Sequence, residues 1–205
     1  MINIDESNFV GKGNHREVYR HPTDPSLCIK INVCKDPSSR EIREVKREKD
    51  YYRLLKKQGV SWGMLPAYHG DVITNLGEGS VFDLITDAND KVSKTLGFYL
   101  TSNELTQENY DGLVSSLSQL KEYLLTQRII VRGLAHRNMV CQRSESGIYR
   151  IAIVDNIGNS EFIPISNYVS YLAKRKINKK WARFKGRLLG EFPDNSVLQR
   201  IIETL

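Results

Sequence analysis

Gly11-Lys12-Gly13-Asn14-His15-Arg16-Glu17-Val18-Tyr19 lies between the apolar pair Phe9-Val10 and the run Leu27-Cys28-Ile29-Lys30-Ile31-Asn32-Val33. Glu17–Arg20 reads as a return strand, His21–Ser26 as a Pro/Asp turn, and Leu27–Val33 as a third strand rich in β-branched residues. The fold is therefore expected to begin as a β-meander with a glycine-bearing first turn. Glycine lets such a turn close tightly and brings backbone N–H groups near phosphate oxygens. A GxG pair is short, and a plain hairpin turn is the simpler account of it.

Lys30, flanked by Cys28-Ile29 and Ile31, gives the segment a chemical direction. A lysine inside an apolar strand needs a carboxylate, because unpaired buried charge is costly; the alternative is an edge strand with Lys30 in solvent. After the polar loop Lys35–Ser39, the stripe Ile42, Val45, Tyr52 and Leu55 predicts a helix from Arg40 to Gln58, stopped by Gly59. It offers Glu41, Glu44 and Glu48, and Glu48, beside Tyr51-Tyr52, is the preferred partner of Lys30.

Further outward, Met64–Tyr68, Gly70–Ile73 and Ser80–Thr86 read as strands, with a hairpin turn at Asn75–Gly79. The polar turn Asp87–Asp90 marks a boundary between residues 1–87 and 88–205. Leu113, Leu117, Leu120 and Leu124 predict an amphipathic helix over Gln107–Thr126. The hairpin Met139–Gln142 with Tyr149–Val154 follows, then helices across Ile163–Leu205, broken near Gly190–Pro193. The order is α+β: a β-rich first part with one helix, then a helical part holding one hairpin.

The 205 residues carry 30 basic and 24 acidic side chains, a net charge of +6, so anionic partners are plausible. The excess gathers in Lys174–Arg187, which holds no acidic residue. It reads either as a solvated helix face or as a patch for nucleic acid, phosphorylated substrate or anionic lipid, with Trp181 and Phe184 interleaved. Nucleic acid ranks last, since no DNA-reading module accompanies the run. Three cysteines without CxxC spacing argue against a disulfide framework or zinc site. No signal-peptide pattern opens the chain and no apolar run reaches membrane-spanning length, so a cytoplasmic location is expected.

Two later segments complete a constellation. Ile129-Ile130-Val131-Arg132-Gly133-Leu134-Ala135-His136-Arg137-Asn138-Met139-Val140 stands between the long helix and the hairpin, and Ile153-Val154-Asp155-Asn156-Ile157-Gly158 closes that hairpin. Against the H-R-D-L-x-x-x-N loop of kinases, Arg132, Leu134 and Asn138 match, and Asp155 opens a D-x-x-G. A carboxylate and an amide oxygen can hold Mg2+ or Mn2+ on a triphosphate, since hard cations take oxygen ligands. The expected nucleotide site is thus Gly11, Lys12, Gly13, Asn14, Val18, Lys30 and Asp87, with Glu48 on Lys30 and with Asn138 and Asp155 on the metal.

On GKGNHREVY, CIKI, REKDYY, GLAHRNMV and VDNIGNSEFIPI, the chain resembles the YrbL family of bacterial proteins associated with the PhoP regulatory network. That family is similar to the protein-kinase-like superfamily, including bacterial sugar kinases of the lipopolysaccharide core. The resemblance implies a bilobal kinase-like fold with a β-rich N-lobe and a short helical C-lobe, and ATP with Mg2+ or Mn2+ as ligands. The pattern departs at Gly133, where kinases place the catalytic aspartate, at Ala135, and at Arg16, where the third glycine would stand. His136 is the nearest residue able to serve as a base, or else a loop histidine making a structural hydrogen bond. About 50 residues follow Asp155 without an APE-like segment, so a peptide-docking platform is not expected. The candidates are a phosphotransferase acting on a small molecule, sugar or cell-envelope acceptor, and a pseudokinase-like regulatory module.

Overall fold

The computed structural model describes residues 1–13, 15–34, 36, 38–158 and 169–205. The expected loop contact of Asn14 and the start of the expected C-terminal helices at Ile163 lie outside them.

Five antiparallel strands form the first sheet: β1 (Phe9–Lys12), β2 (Arg16–Arg20), β3 (Leu27–Asn32), β4 (Tyr68–Thr74) and β5 (Gly77–Asp83), in the order β1-β2-β3-β5-β4. Helix α1 (Arg40–Lys57), capped by the Ser39 side chain, connects β3 to β4. Period-two alternation sorts the side chains of this sheet. Tyr19, Ile29, Ile31 and Val81 form a small core with Ile4 on one face, while Cys28 and Phe82 join the main core on the other. Lys30, two residues after Cys28, therefore points to the α1 face, and so does Arg16, two residues before the half-buried Val18.

Tyr52 of α1 sits edge-on to Phe82 at 5.2 Å and stacks on Trp62. Lys49 pairs with Asp71 of β4 at 2.7 Å, where Ser80 Oγ also donates to the carboxylate. Burial alone would raise the Asp71 pKa, but bonds from Lys49, Ser80 and Tyr68 outweigh it and hold the group below its ordinary value. A carboxyl depressed on folding contributes stability that is complete above its unfolded pKa, about 3.9, and is lost as the pH falls through the folded value. An Asp71→Asn protein is thus expected to melt below the wild type at pH 7. Thermal melts should show the gap closing as the pH drops below 4; a gap constant from pH 7 to pH 3 would exclude this linkage.

The second part begins with β6 (Lys94–Thr95) and the short helices α2 (Leu96–Tyr99) and α3 (Asn103–Glu108). The long helix α4 (Tyr110–Gln127) follows, then the hairpin β7 (Met139–Ser144) and β8 (Gly147–Ile153), α5 (Ser170–Glu191) and α6 (Ser196–Thr204). Strands β6, β7 and β8 form a second antiparallel sheet. The predicted leucine stripe of α4 is fully buried, and Gly112 lets the helix approach β8: a Cβ there would lie 2.5 Å from the Ile148 carbonyl oxygen. One buried cluster runs from Cys28, Tyr52 and Phe82 through the α4 leucines to Trp181 and Ile201.

Two sequence expectations need correction. Residues 64–67 are not strand; Met64 instead accepts the Ile153 N–H at 3.0 Å. The helix expected from Gln107 is two helices, because the Asn109 side chain turns back to the Leu105 carbonyl at the junction. Among the described residues no helix is long and apolar enough to cross a membrane, and the three cysteines are free.

Candidate functional site

Arg16 is the centre of the site. From β2 its guanidinium reaches under the sheet, donating to Glu48 Oε2 of α1 at 2.5 Å and to Asp155 Oδ1 just beyond β8. Arg16 is 9% exposed and Glu48 2%. Burial works against the Arg16 charge, yet the two carboxylates outweigh it and raise its pKa further. Burial likewise pushes the Asp155 carboxyl up, while Arg16, Lys30 and the Asn156 N–H bring it below its ordinary value. Asp155 is thus ionised at neutral pH.

The expected Lys30–Glu48 pair does not form, because Arg16 takes Glu48. Lys30 Nζ donates to the Val154 carbonyl at 2.5 Å and lies 4.5 Å over the Phe82 ring. Its inward direction is as read from the strand; its partner is not. Lys30 nonetheless touches the residue before Asp155, so β2, β3, α1 and the end of β8 converge on one point.

The segment around Asp155 is strapped to the loop before β7. Arg132 N–H donates to the Asn156 carbonyl (2.8 Å), Gly158 N–H to Ile130 (3.0 Å) and Val154 N–H to Asn138 (2.9 Å). The Ile130 N–H in turn donates to the Tyr51 hydroxyl of α1 at 2.8 Å. Asn156 has φ 62° and Gly158 φ 131°. Asparagine tolerates the left-handed region, and the second value calls for glycine. This accounts physically for Asp-Asn-Ile-Gly: the turn aims the aspartate back at Arg16 and Lys30. The Asn138 carbonyl bond also sets that residue beside Asp155.

The chemistry of the donors suits a hard cation in part. Asp155 Oδ1 accepts from Arg16 and Asn156, whereas its second oxygen and the Asn138 amide make no hydrogen bond among the described residues. No group of three His, Cys, Asp or Glu residues able to hold a metal occurs among those residues. Mg2+ or Mn2+ would therefore depend on these two side chains together with phosphate oxygens, the usual habit of magnesium.

The glycine segment is a tight hairpin. Gly11 pairs with Val18, Gly13 N–H donates to the Arg16 carbonyl at 2.8 Å, and Lys12 pairs with Glu17 at 2.9 Å. Asp87 Oδ1 accepts from Ser93 Oγ (2.6 Å) and from the Arg143 N–H (3.0 Å), fixing the turn between the two parts of the chain. His136 lies in the short turn before β7. Its Nε2 faces Glu191 at 3.1 Å, its ring meets Phe192 edge-on, and its Nδ1 is buried over Gly97 without a hydrogen-bond partner among the described residues.

Lys174–Arg187 falls within α5, where Trp181 and Phe184 are 2% and 1% exposed. Those rings belong to the core and cannot stack on bases, which removes the aromatic half of the nucleic-acid reading. Lys180 reaches from this helix to the Arg132 carbonyl at 2.5 Å.

Sequence reasoning passed over Arg16 because it stood where a third loop glycine was sought. The signal that finds it is parity: with Val18 inward, Arg16 on the same strand is inward too.

Residues 2–189 match the family described as PhoP regulatory network protein YrbL. The chain is similar to the uncharacterized protein YrbL of Escherichia coli (strain K12) and to that of Shigella flexneri. Each is 38% identical over 186 residues, 90% of this chain and 86% of the relative. The chain belongs to the PhoP regulatory network protein YrbL family.

Proposed function

We propose that this protein is a kinase-like module that binds ATP with Mg2+ or Mn2+ and acts chiefly through that binding, as a regulatory switch. In this reading residues 1–87 form an N-lobe over the nucleotide, and residues 88–205 form a reduced C-lobe that supplies the metal ligands. The observation that carries it is the convergence of Lys30, Glu48 and Asp155 from three separate segments, with Arg16 bonded to both carboxylates and Lys30 to the Val154 carbonyl. Lys30 is positioned to turn from the Val154 carbonyl to a phosphate oxygen, and the free oxygen of Asp155 with the Asn138 amide would hold the cation. A bound cation would neutralise phosphate charge, the part such ions play in phosphoryl sites. Arg16 already supplies positive charge to Asp155, so a bound cation would compete with Arg16 for this carboxylate, and that competition is the switch.

Scanning fluorimetry tests the reading. A ligand present at a hundredfold its Kd stabilises by about 2.7 kcal/mol, several degrees for a chain of this size. Mg·ATP should raise Tm by that order in the wild type and by much less in Lys30→Met and Asp155→Ala. Absence of any shift with purine or pyrimidine triphosphates, in Mg2+ or Mn2+, would remove the nucleotide from the account.

Phosphoryl transfer to a sugar or cell-envelope acceptor is the second reading. One observation favours it: Gly133, at the position of the missing aspartate, borders an open cavity.

A further inference from the structure

A cavity of about 630 Å³ lies between the first turns of α1 and the loop after Val131, lined by Arg40, Arg43, Glu44, Arg47, Arg132, Gly133 and Asn156. The α1 residues recur at three- and four-residue spacing, so they share one helix face. Four guanidiniums surround a single carboxylate. Glu44 is the hub, accepting from Arg40 Nε at 2.9 Å and lying 3.4 Å from Arg132 Nη1. Burial raises the Glu44 pKa, but Arg40, Arg132 and His15 overcome this and hold it below the ordinary value. Arg43 and Arg47 form no ion pair among the described residues.

An arginine-rich helix face is commonly just solvated. Arg132 argues otherwise. Its side chain is only 19% exposed, and its Nε is buried without a hydrogen-bond partner among the described residues. Its backbone is bonded to Asn156 and Lys180, and its guanidinium lies beside Glu44. A largely buried guanidinium grouped with three further arginines about one cavity fits a multivalent oxyanion better than a monovalent one. The volume is within the range that takes small-molecule ligands.

We propose that this cavity binds a phosphate group, carried by a small phosphorylated metabolite or presented as free phosphate, on the α1 side of the Asp155–Gly158 turn. The inference does not rest on nucleotide binding. Equilibrium titration with inorganic phosphate, glucose 6-phosphate and neutral glucose, at constant ionic strength, distinguishes the sources. Both phosphates should bind and glucose should not. Tighter binding of glucose 6-phosphate assigns the site to an organic phosphate, and equal binding assigns it to the phosphate alone.

The double variant Arg43→Gln/Arg47→Gln removes exposed side chains that form no ion pair among the described residues, and should lose affinity on the order of a hundredfold. Glu44→Gln, which deletes the competing carboxylate, should instead tighten phosphate binding severalfold, a direction that a damaged fold cannot give. The double arginine variant should keep any response to Mg·ATP. The proposal is overturned if neither phosphate binds, if the double variant binds as the wild type does, or if phosphate and Mg·ATP responses are lost together in it.

Discussion

An Arg16→Met protein is expected to be less stable than the wild type by about 3–5 kcal/mol, the cost of breaking a buried ion pair from one side. For a chain of this length that corresponds to a fall in Tm on the order of 10 °C. The cause is Glu48. It is 2% exposed, and with Arg16 gone it has no cationic partner within ion-pairing distance among the described residues. Asp155, with its side chain 39% exposed, recovers hydration and contributes less. Two further variants isolate the mechanism. Arg16→Met/Glu48→Leu should regain most of the loss, because a buried pair replaced by apolar residues is often neutral. Arg16→Lys should remain impaired, because one ammonium cannot present the forked pair of donors that reaches Glu48 and Asp155 together. Urea or thermal melts of the four proteins decide the matter. If Arg16→Met melts with the wild type, the Arg16 bridge is not what holds β2, α1 and the Asp155 turn together.

The elements with strong periodicity were legible in the sequence: the three opening strands, α1, α4 and the β7–β8 hairpin. The stretch from Lys94 to Glu108 was not, because β6, α2 and α3 are two, four and six residues long. Elements so short have no period to read, and tertiary contacts such as Thr106 Oγ1 to the Tyr99 carbonyl specify them. Composition and order singled out Lys30, Glu48, Asn138 and Asp155 as candidates, but pairing is a property of three dimensions. Lys30 and Arg16 both point to the α1 face, and either could meet Glu48. The guanidinium reaches two carboxylates at once, and that places Lys30 against a carbonyl instead. For His136, titratability shows in sequence, whereas the contact with Glu191 some 55 residues later does not. Trp181 and Phe184 looked available among basic neighbours because linear interleaving hides that they fall on the buried stripe with Ala173, Ile177 and Leu188.

Gly133→Asp is expected to give the protein a measurable ATP-hydrolysing activity, on the order of a hundredfold or more above the wild type. The position accepts the change: a Cβ there meets nothing within 4 Å, and the backbone is outside the left-handed region that only glycine adopts readily. The loop around it is already rigid, with the Arg132 N–H bonded to Asn156 and the Ala135 carbonyl accepting from Asn138. A carboxylate on such a loop can orient a water or hydroxyl and accept its proton, a contribution typically of 10²–10⁴-fold. Hydrolysis is the useful readout because water needs no acceptor site. Gly133→Asn, of equal size but unable to take the proton, should stay near the wild-type rate, and Gly133→Asp/Asp155→Ala should fall back to it. The pairing of outcomes with Mg·ATP binding gives the result its meaning. If Gly133→Asp binds Mg·ATP and turns it over, the wild-type site is a phosphoryl-transfer centre silenced at one residue. If it binds and stays inert, the Arg16 bridge to Asp155 restrains the chemistry, and Arg16→Met/Glu48→Leu in the Gly133→Asp background is the variant in which hydrolysis should then emerge.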